Sequence, residues 1–299
     1  MSAEATILND LSQALESSVA SGRDLAVAVR NAAHRHVSGL VWEPGIVVTS
    51  EQAVGEREEY EVVDGEGRVA RARIVGRDPG TNLLALRTDP TFAVGARRAA
   101  QARTGTLMLA LGANADGSTI ARLGIVNAVA PQWYSRAGGR IEQRITLDIR
   151  LGRTEEGGPV VDAGGSLLGM STLGPPGEVL VIPHATIERV IPQLLRDGHA
   201  TRGWLGLGLQ PVAVPDGLRE AAGQSAGMMV MSTVADGPAA TAGVKAGDIL
   251  LTIDGASVRS ARQLAAQLDD TSVGKQIALR LIRGGEVVAV EAAVAPRTK

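Results

Sequence analysis

Any chemistry in this 299-residue chain must come from hydroxyls, carboxylates, amides and four imidazoles, because the chain contains no cysteine. Disulfides, thiolate catalysis and thiolate metal sites are excluded together. The imidazoles are His34, His36, His184 and His199. His34 and His36 share one face of an extended segment, but two ligands do not make a metal site, and the pair reads as exposed residues at a strand start. His184 and His199 flank a helical stretch and read as surface residues. The loop Arg153-Thr154-Glu155-Glu156-Gly157-Gly158-Pro159 gathers carboxylates, with Asp148 upstream. Two carboxylates can hydrolyse a glycoside when they flank the bond. Adjacent Glu155 and Glu156 on an extended loop point opposite ways, which argues against that use. Ser166 follows the turn signal Asp162–Gly165 and reads as a turn serine, not a nucleophile. No metal and no cofactor is expected.

The elements that carry these residues are short. Thirty-seven glycines and thirteen prolines punctuate runs rich in Val, Leu, Ile and Ala, while aromatics are scarce. "SGLVWEPGIVVTS" is split by Pro44-Gly45, and "EYEVVDGEGRVARARIVGRD" is two alternating runs about Asp64-Gly65. Further strands follow at "NLLALRTD", "GTLMLALG", "TIARLGIVNAVA", "GPVVD", "SLLGMSTLG" and "EVLVIP". Such spacing argues for barrels or a sandwich. Near residue 184 the period changes: Ile187, Val190, Ile191, Leu194 and Leu195 share a helical face that Gly198 ends. A shorter amphipathic helix is expected at 6–20, with Thr6, Asn9 or Asp10 as candidate caps. The chain divides into an N-terminal helical segment with the first strand (1–30), a β-barrel body with a linking helix (31–197), and an α+β unit (201–299).

The stretch "DGPAATAGVKAGDILLTIDGASV", Asp236 to Val258, resembles a PDZ domain of the HtrA/DegP family. "VGRDPGTNLLALR", "EEGGPVVDAGGSLLGMSTLG" and "VLVIPHATIERVIPQLLRDGHATRGWLGL" resemble that family's trypsin-like module. The resemblance covers nearly the whole chain. It implies a mainly β fold, a chymotrypsin/trypsin-like double β-barrel followed by a small PDZ domain.

The resemblance also implies where a Ser-His-Asp triad would stand. The histidine position, in "VVTSEQAV", holds Gln52. The aspartate position, after Asp78-Pro79-Gly80-Thr81, holds Asn82. The serine position, before Gly157-Gly158-Pro159, holds Glu156, and the oxyanion-hole glycine is Thr154. A triad needs a hydroxyl nucleophile, a nitrogen base titrating near neutrality and a carboxylate that orients it. Gln52 is non-basic, Asn82 is uncharged, and Glu156 would set a negative charge beside a developing oxyanion. Loss of one triad member leaves only ~10³–10⁴ of acceleration over water. At Thr154 a β-branched side chain resists the φ > 0 that such a position often takes. The three side chains should converge in one cleft, to bind a cation or to hydrogen-bond one another; the second is favoured because a single carboxylate is a poor cage for a hard cation.

The expectation is a catalytically inactive homologue, a pseudoprotease. It would bind peptides or protein C-termini through its PDZ domain, as an adaptor, a regulator of an active protease relative, or a chaperone-like factor. The alternatives are an active serine endopeptidase and a structural oligomer without peptide affinity. PDZ domains add a peptide strand to a sheet edge and cup its carboxylate in backbone amides. The resemblance assigns the cup to Trp204, Leu205, Gly206 and Leu207, and the groove to Leu207, Leu209, Leu264 and Leu268. A net charge of −2 gives no footprint for nucleic acid or for an anionic membrane. No apolar run approaches the ~18 residues of a membrane span. The face Ile7/Leu8/Leu11/Leu15 leaves room for a homo-oligomer. With no basic and apolar leader in "MSAEATILNDLSQALESSVASG", the expected address is cytoplasmic.

Overall fold

The computed structural model describes residues 3–31, 35–55, 59–88, 101–175 and 177–296. They form two compact units: Met1–Trp133 with Ile141–Ala200, and Tyr134–Arg140 with Thr201–Lys299.

The first unit opens with helix α1 (Ala3–Gly22). It starts about a turn before the expected caps, because Ala3, Glu4 and Ala5 are themselves strong helix formers. Leu15 and Val19 pack onto the core, while Ile7, Leu8 and Leu11 are exposed. Strands β1 (Ala26–Arg30), β2 (His36–Glu43), β3 (Ile46–Ser50), β4 (Glu59–Val63), β5 (Val69–Asp78) and β6 (Leu83–Thr88) close an antiparallel barrel in the order β1-β2-β3-β6-β5-β4. The turn between β4 and β5 is built by Asp64, whose Oδ1 accepts the amides of Glu66 and Arg68 at 3.0 Å each. Strand β3 is buried throughout. Val47, Leu84 and Leu86 join one apolar cluster with Val27, Val41 and Val62. Val48, Leu83 and Ala85 join another with second-barrel residues. Strands buried on both faces read as unbroken apolar runs rather than alternating ones.

The second barrel uses β7 (Leu107–Ala113) and β8 (Thr119–Ala130). A two-strand ladder, β9 (Trp133–Tyr134) and β10 (Arg140–Ile141), comes next. Strands β11 (Arg144–Leu147), β12 (Pro159–Asp162), β13 (Leu167–Leu173) and β14 (Val179–Pro183) complete the barrel in the order β11-β14-β13-β12-β7-β8. Helix α2 (His184–Asp197) buries Ile187, Val190, Ile191 and Leu194 and is capped by Gly198 in the left-handed region. Those four join Leu40, Ile46, Leu83, Leu109, Leu111, Met170 and Ile182 in one core shared by both barrels and the helix.

In the second unit β15 (Gly203–Trp204) leads into β16 (Leu207–Ala213). Helix α3 (Arg219–Ala222), β17 (Ala226–Thr233), α4 (Pro238–Thr241), β18 (Ile249–Ile253), β19 (Ala256–Ser257), α5 (Ala261–Gln267), β20 (Gln276–Arg283), β21 (Glu286–Ala293) and β22 (Ala295–Pro296) follow. The sheet order is β16-β17-β18-β20-β21, with β19 beside β18 and β15 paired to β22. Strand β16 is therefore at the sheet edge. Met228, Val230, Leu250, Leu279 and Leu281 centre the core. Ser260 caps α5, its hydroxyl accepting the Gln263 amide. A buried Asp248 accepts from Arg283 at 2.6 and 2.9 Å and from the Lys245 amide at 2.8 Å.

Two boundaries differ from the sequence reading. Residues 3–30 are part of the first unit rather than a separate segment, and Tyr134–Arg140, inside the expected 31–197 body, clusters with the second unit. Polar contacts distant in sequence hold that segment. Tyr134 donates to the Ala266 carbonyl at 3.0 Å, and Arg140 pairs with Asp269 at 3.3 Å. Local periodicity carries no trace of such contacts.

Candidate functional site

The first unit brings Gln52, Asn82 and Glu156 together. Ser50 ends β3, and Gln52 follows in a 3₁₀ turn, Glu51–Ala53. Asn82 precedes β6 at φ 58°, a left-handed conformation that Asn tolerates better than most residues. The turn before it is set by Asp78, which accepts the amides of Gly80 and Thr81 at 3.1 Å each and the Thr81 hydroxyl at 2.7 Å. Glu156 lies in the loop entering β12, a loop that turns at Gly157. At Gly157 φ is 94°, and a Cβ would lie 2.4 Å from both the Ser38 carbonyl and Thr49 Oγ1, so no larger residue fits.

Glu156 is 4% exposed. Its Oε1 accepts from Gln52 Nε2 at 2.7 Å, from the Ser50 and Thr172 hydroxyls at 2.8 Å each, and from the Leu173 amide at 3.2 Å. Asn82 Nδ2 donates to Thr172 Oγ1 at 2.7 Å and to Ser50 Oγ at 2.9 Å. Asn82 Oδ1 accepts the Gln52 amide at 2.8 Å. Gln52 Nε2 also reaches the Leu173 carbonyl at 2.9 Å. Both hydroxyls in this cluster therefore donate to a carboxylate and accept from a side-chain amide. None of its nitrogens is basic. Ser50 is fully buried, and a carboxylate is too weak a base to activate its hydroxyl.

The neighbouring glutamate points elsewhere. Glu155 accepts from Arg122 at 2.6 and 2.9 Å, and this charge-assisted pair holds its carboxyl below the usual glutamate range despite burial. Asp148 is exposed. Thr154 keeps a negative φ, as its β-branched side chain favours, while Gly157 takes φ 94°. The Thr154 carbonyl accepts from Ser38 Oγ at 2.9 Å.

The described histidines stand apart from the cluster. His36 begins β2, its pKa lowered mainly by burial. His184 stacks on Trp42 with ring centroids 4.9 Å apart and lies 3.7 Å from Glu188. His199 Nδ1 meets the Asp197 carbonyl. His34 lies outside the described residues. Ser166 sits in the β12–β13 turn, its amide donating to Asp162 Oδ1 at 2.9 Å. No cluster able to hold a metal ion occurs among the described residues. Ser50 and Thr172, which complete the polar cluster, were not singled out from sequence. Their place in it depends on strand register, which pairs Ser50 with Leu83 and Thr172 with Leu180.

The second unit holds a cavity of about 270 Å³. Trp204, Leu205, Gly206, Leu207, Leu264 and Leu268 line it, with Arg202, Gly203 and the tip Ala137–Gly138. Leu205 and Leu268 belong to the core, Leu207 and Leu264 are half-buried, and Leu209 packs on the core outside the lining. Gly206 has φ 75°, and a Cβ there would sit 3.2 Å from the Trp204 ring. The carbonyls of this loop are occupied, Gly206 by the Val234 amide at 2.8 Å and Leu205 by the Ala239 amide at 2.9 Å. The amides of Leu205 and Gly206, both buried, make no hydrogen bond among the described residues. Buried amides without an acceptor are rare, and these two lie in succession beside the cavity.

Two closed six-stranded barrels sharing a core define a chymotrypsin-like body, and the sheet with its cavity defines a PDZ domain. Residues 37–170 match the trypsin-like peptidase domain and residues 204–294 the PDZ domain. The chain is 29% identical over 268 residues to a probable periplasmic serine endoprotease DegP-like of Brucella suis, covering 86% of this chain and 51% of that protein. It is 26% identical over 273 residues to the serine endoprotease DegS of Escherichia coli, covering 86% and 76%. The chain thus spans about half the length of the DegP-like relatives it matches. Among solved structures, a serine endoprotease from Yersinia pestis superposes with a TM-score of 0.73 at 25% identity, covering 95% of this chain and 98% of that one. The HtrA-type protease AlgW with tripeptide gives 0.70 at 27%, covering 94% and 97%. In fold and domain order the chain resembles the HtrA/DegP-type proteins. The cytoplasmic expectation is overturned, since the matched DegP-like relatives are named periplasmic. A reading of the first residues for a leader speaks only to those residues and carries no information about where such a fold works.

Proposed function

We propose that this chain is a non-hydrolytic HtrA-like protein that binds peptide C-termini through its PDZ domain. The observation behind it is Glu156: a carboxylate stands before Gly157-Gly158, with four donors on its Oε1 and no imidazole in the cluster. Peptide binding is supported by the two unpaired amides at the cavity and by the edge position of β16. The AlgW structures carry a decapeptide or a tripeptide. The setting we propose is the periplasm, after the names of the relatives. There the protein acts as an adaptor, a regulator of an active relative or a chaperone-like factor.

The competing reading is an active serine endopeptidase, favoured by the names that the relatives carry. A fluorophosphonate probe separates the two. The purified chain should remain unlabelled and leave casein uncut; a covalently labelled serine would establish the endopeptidase and end the non-hydrolytic reading. A structural oligomer would show no affinity for any C-terminal peptide.

A further inference from the structure

Strand β13 runs past the end of its ladder with β12. At Ser171 the two sides still exchange main-chain bonds: the Ser171 amide donates to the Gly158 carbonyl at 2.9 Å, and its carbonyl accepts the Gly157 amide at 3.0 Å. In an antiparallel ladder the N–H and C=O two residues on point the same way, so those of Leu173 also face the β12 side. The backbone there has turned aside. Gly157 takes φ 94°, and the Glu156 carbonyl accepts the Ser38 amide of β2 at 3.1 Å. Side chains fill the place it leaves. The Leu173 amide donates to Glu156 Oε1 at 3.2 Å, and the Leu173 carbonyl accepts from Gln52 Nε2 at 2.9 Å. Gln52 and Glu156 are themselves joined at 2.7 Å. One acceptor beside one donor is what a residue of a paired strand would offer. Glu156 is buried and Gln52 is exposed, so the donor half of the pair is the half that a competing chain can reach.

We propose that the Gln52–Glu156 pair is an autoinhibitory plug, a mock strand residue that closes the β13 edge of the barrel unit to extended peptides. Open strand edges recruit other chains through main-chain bonds, and folded proteins cover them. With the pair removed, the Leu173 amide and carbonyl would both be free to bond a peptide backbone, whatever its side chains. Glu156 is fixed by Ser50 and Thr172 as well, so Gln52 is the part that must swing out first. The plug concerns the barrels alone and does not depend on what the PDZ domain binds.

The test uses the full chain and a degenerate pool of heptapeptides, labelled with fluorescein at the N-terminus, amidated at the C-terminus and carrying a central benzophenone. Amidation keeps the capture of a free terminal carboxylate out of the measurement. Anisotropy titrations compare the wild type with Gln52→Ala, Gln52→Ala/Glu156→Ala and Arg122→Gln, the last a change beside the same loop that leaves Leu173 untouched. Wild type and Arg122→Gln should bind weakly and alike. Gln52→Ala should bind more tightly, and the double variant roughly tenfold more tightly than wild type, with photo-cross-links on β13. Equal binding by wild type and double variant, or cross-links gained only outside β13, overturns the plug. Should the double variant not unfold cooperatively, Gln52→Ala decides alone, and no gain over Arg122→Gln overturns the proposal. Amide exchange is a second readout: the Leu173 amide should be protected in the wild type and lose that protection in Glu156→Ala, and a fast-exchanging Leu173 amide in the wild type overturns the plug. A serine labelled by the fluorophosphonate probe would end the non-hydrolytic reading without altering any of these outcomes.

Discussion

The Glu156 carboxylate and the loop at Leu205–Gly206 are both buried, and their surroundings handle hydrogen bonding in opposite ways. In the barrels every donor of the cluster finds an internal acceptor: Ser50, Gln52 and Thr172 on Glu156, and Asn82 on Ser50 and Thr172. In the PDZ domain two successive amides find none among the described residues, while the carbonyls beside them are paired. A buried polar group left open costs about 1–3 kcal/mol unless something else meets it. The closed cluster thus suits structural support. The open cup is tolerable in a domain whose partner comes from outside.

The sharpest way to break this comparison is chemical. Both the wild type and Glu156→Ser should resist fluorophosphonate labelling, because a serine at that position has only Gln52 for a base; labelling of either would show that the barrel cleft is open to chemistry. Next in size is stability. Glu156→Ala removes an acceptor shared by four donors, the buried Thr172 hydroxyl among them, and should cost about 1–3 kcal/mol in urea unfolding of the barrel unit, followed through Trp42 and Trp133. Gln52→Ala should cost less, since Glu156 keeps three donors. A near-neutral Glu156→Ala would mean that the cluster supports nothing. In the PDZ domain, Leu264→Asp should weaken free-acid peptides by about tenfold, ~1.4 kcal/mol, through repulsion of the carboxylate, and leave barrel stability unchanged. Unaltered affinity would move the site away from α5.

The smallest effect separates Glu155 from its neighbour. Arg122 holds the folded pKa of Glu155 below the unfolded value, so the pair stabilises above the ordinary glutamate range, near ~4.3. That contribution drains away as pH falls through the lower, folded value. Arg122→Gln should flatten this acid limb of the stability profile. An unchanged limb would assign it to other carboxylates.

Much of the architecture was legible because the signals are local. Pro44-Gly45 parts β2 from β3, Asp64 turns β4 into β5, and Gly198 stops α2. The loop positions of Gln52, Asn82 and Glu156 could be marked for the same reason, each lying beside a turn with its own signature. Ser50 and Thr172 could not, since their partners come from register between strands far apart in sequence. The alliance of Tyr134–Arg140 with the second unit was hidden likewise. It depends on Tyr134 meeting the Ala266 carbonyl and Arg140 meeting Asp269, contacts over 120 residues apart. Leu209 packs on the core outside the PDZ cavity, and alternation along β16 does not say which half-buried leucine faces it. Gly206 and Leu207 line that cavity, within the loop that the motif Trp204–Leu207 marks.

The left-handed Asn82 bears on how such a chain could change over time. Its backbone suits Asp almost as well as Asn, so the step Asn82→Asp is sterically cheap. Electrically it is not: it would set a second negative charge against Ser50 and Thr172, the two hydroxyls that already serve Glu156. A lineage that acquired Asp at this position would have to discard Glu156 first and pass through an ancestor with a weakened barrel pair. Order of substitution, rather than their number, sets the height of that evolutionary barrier.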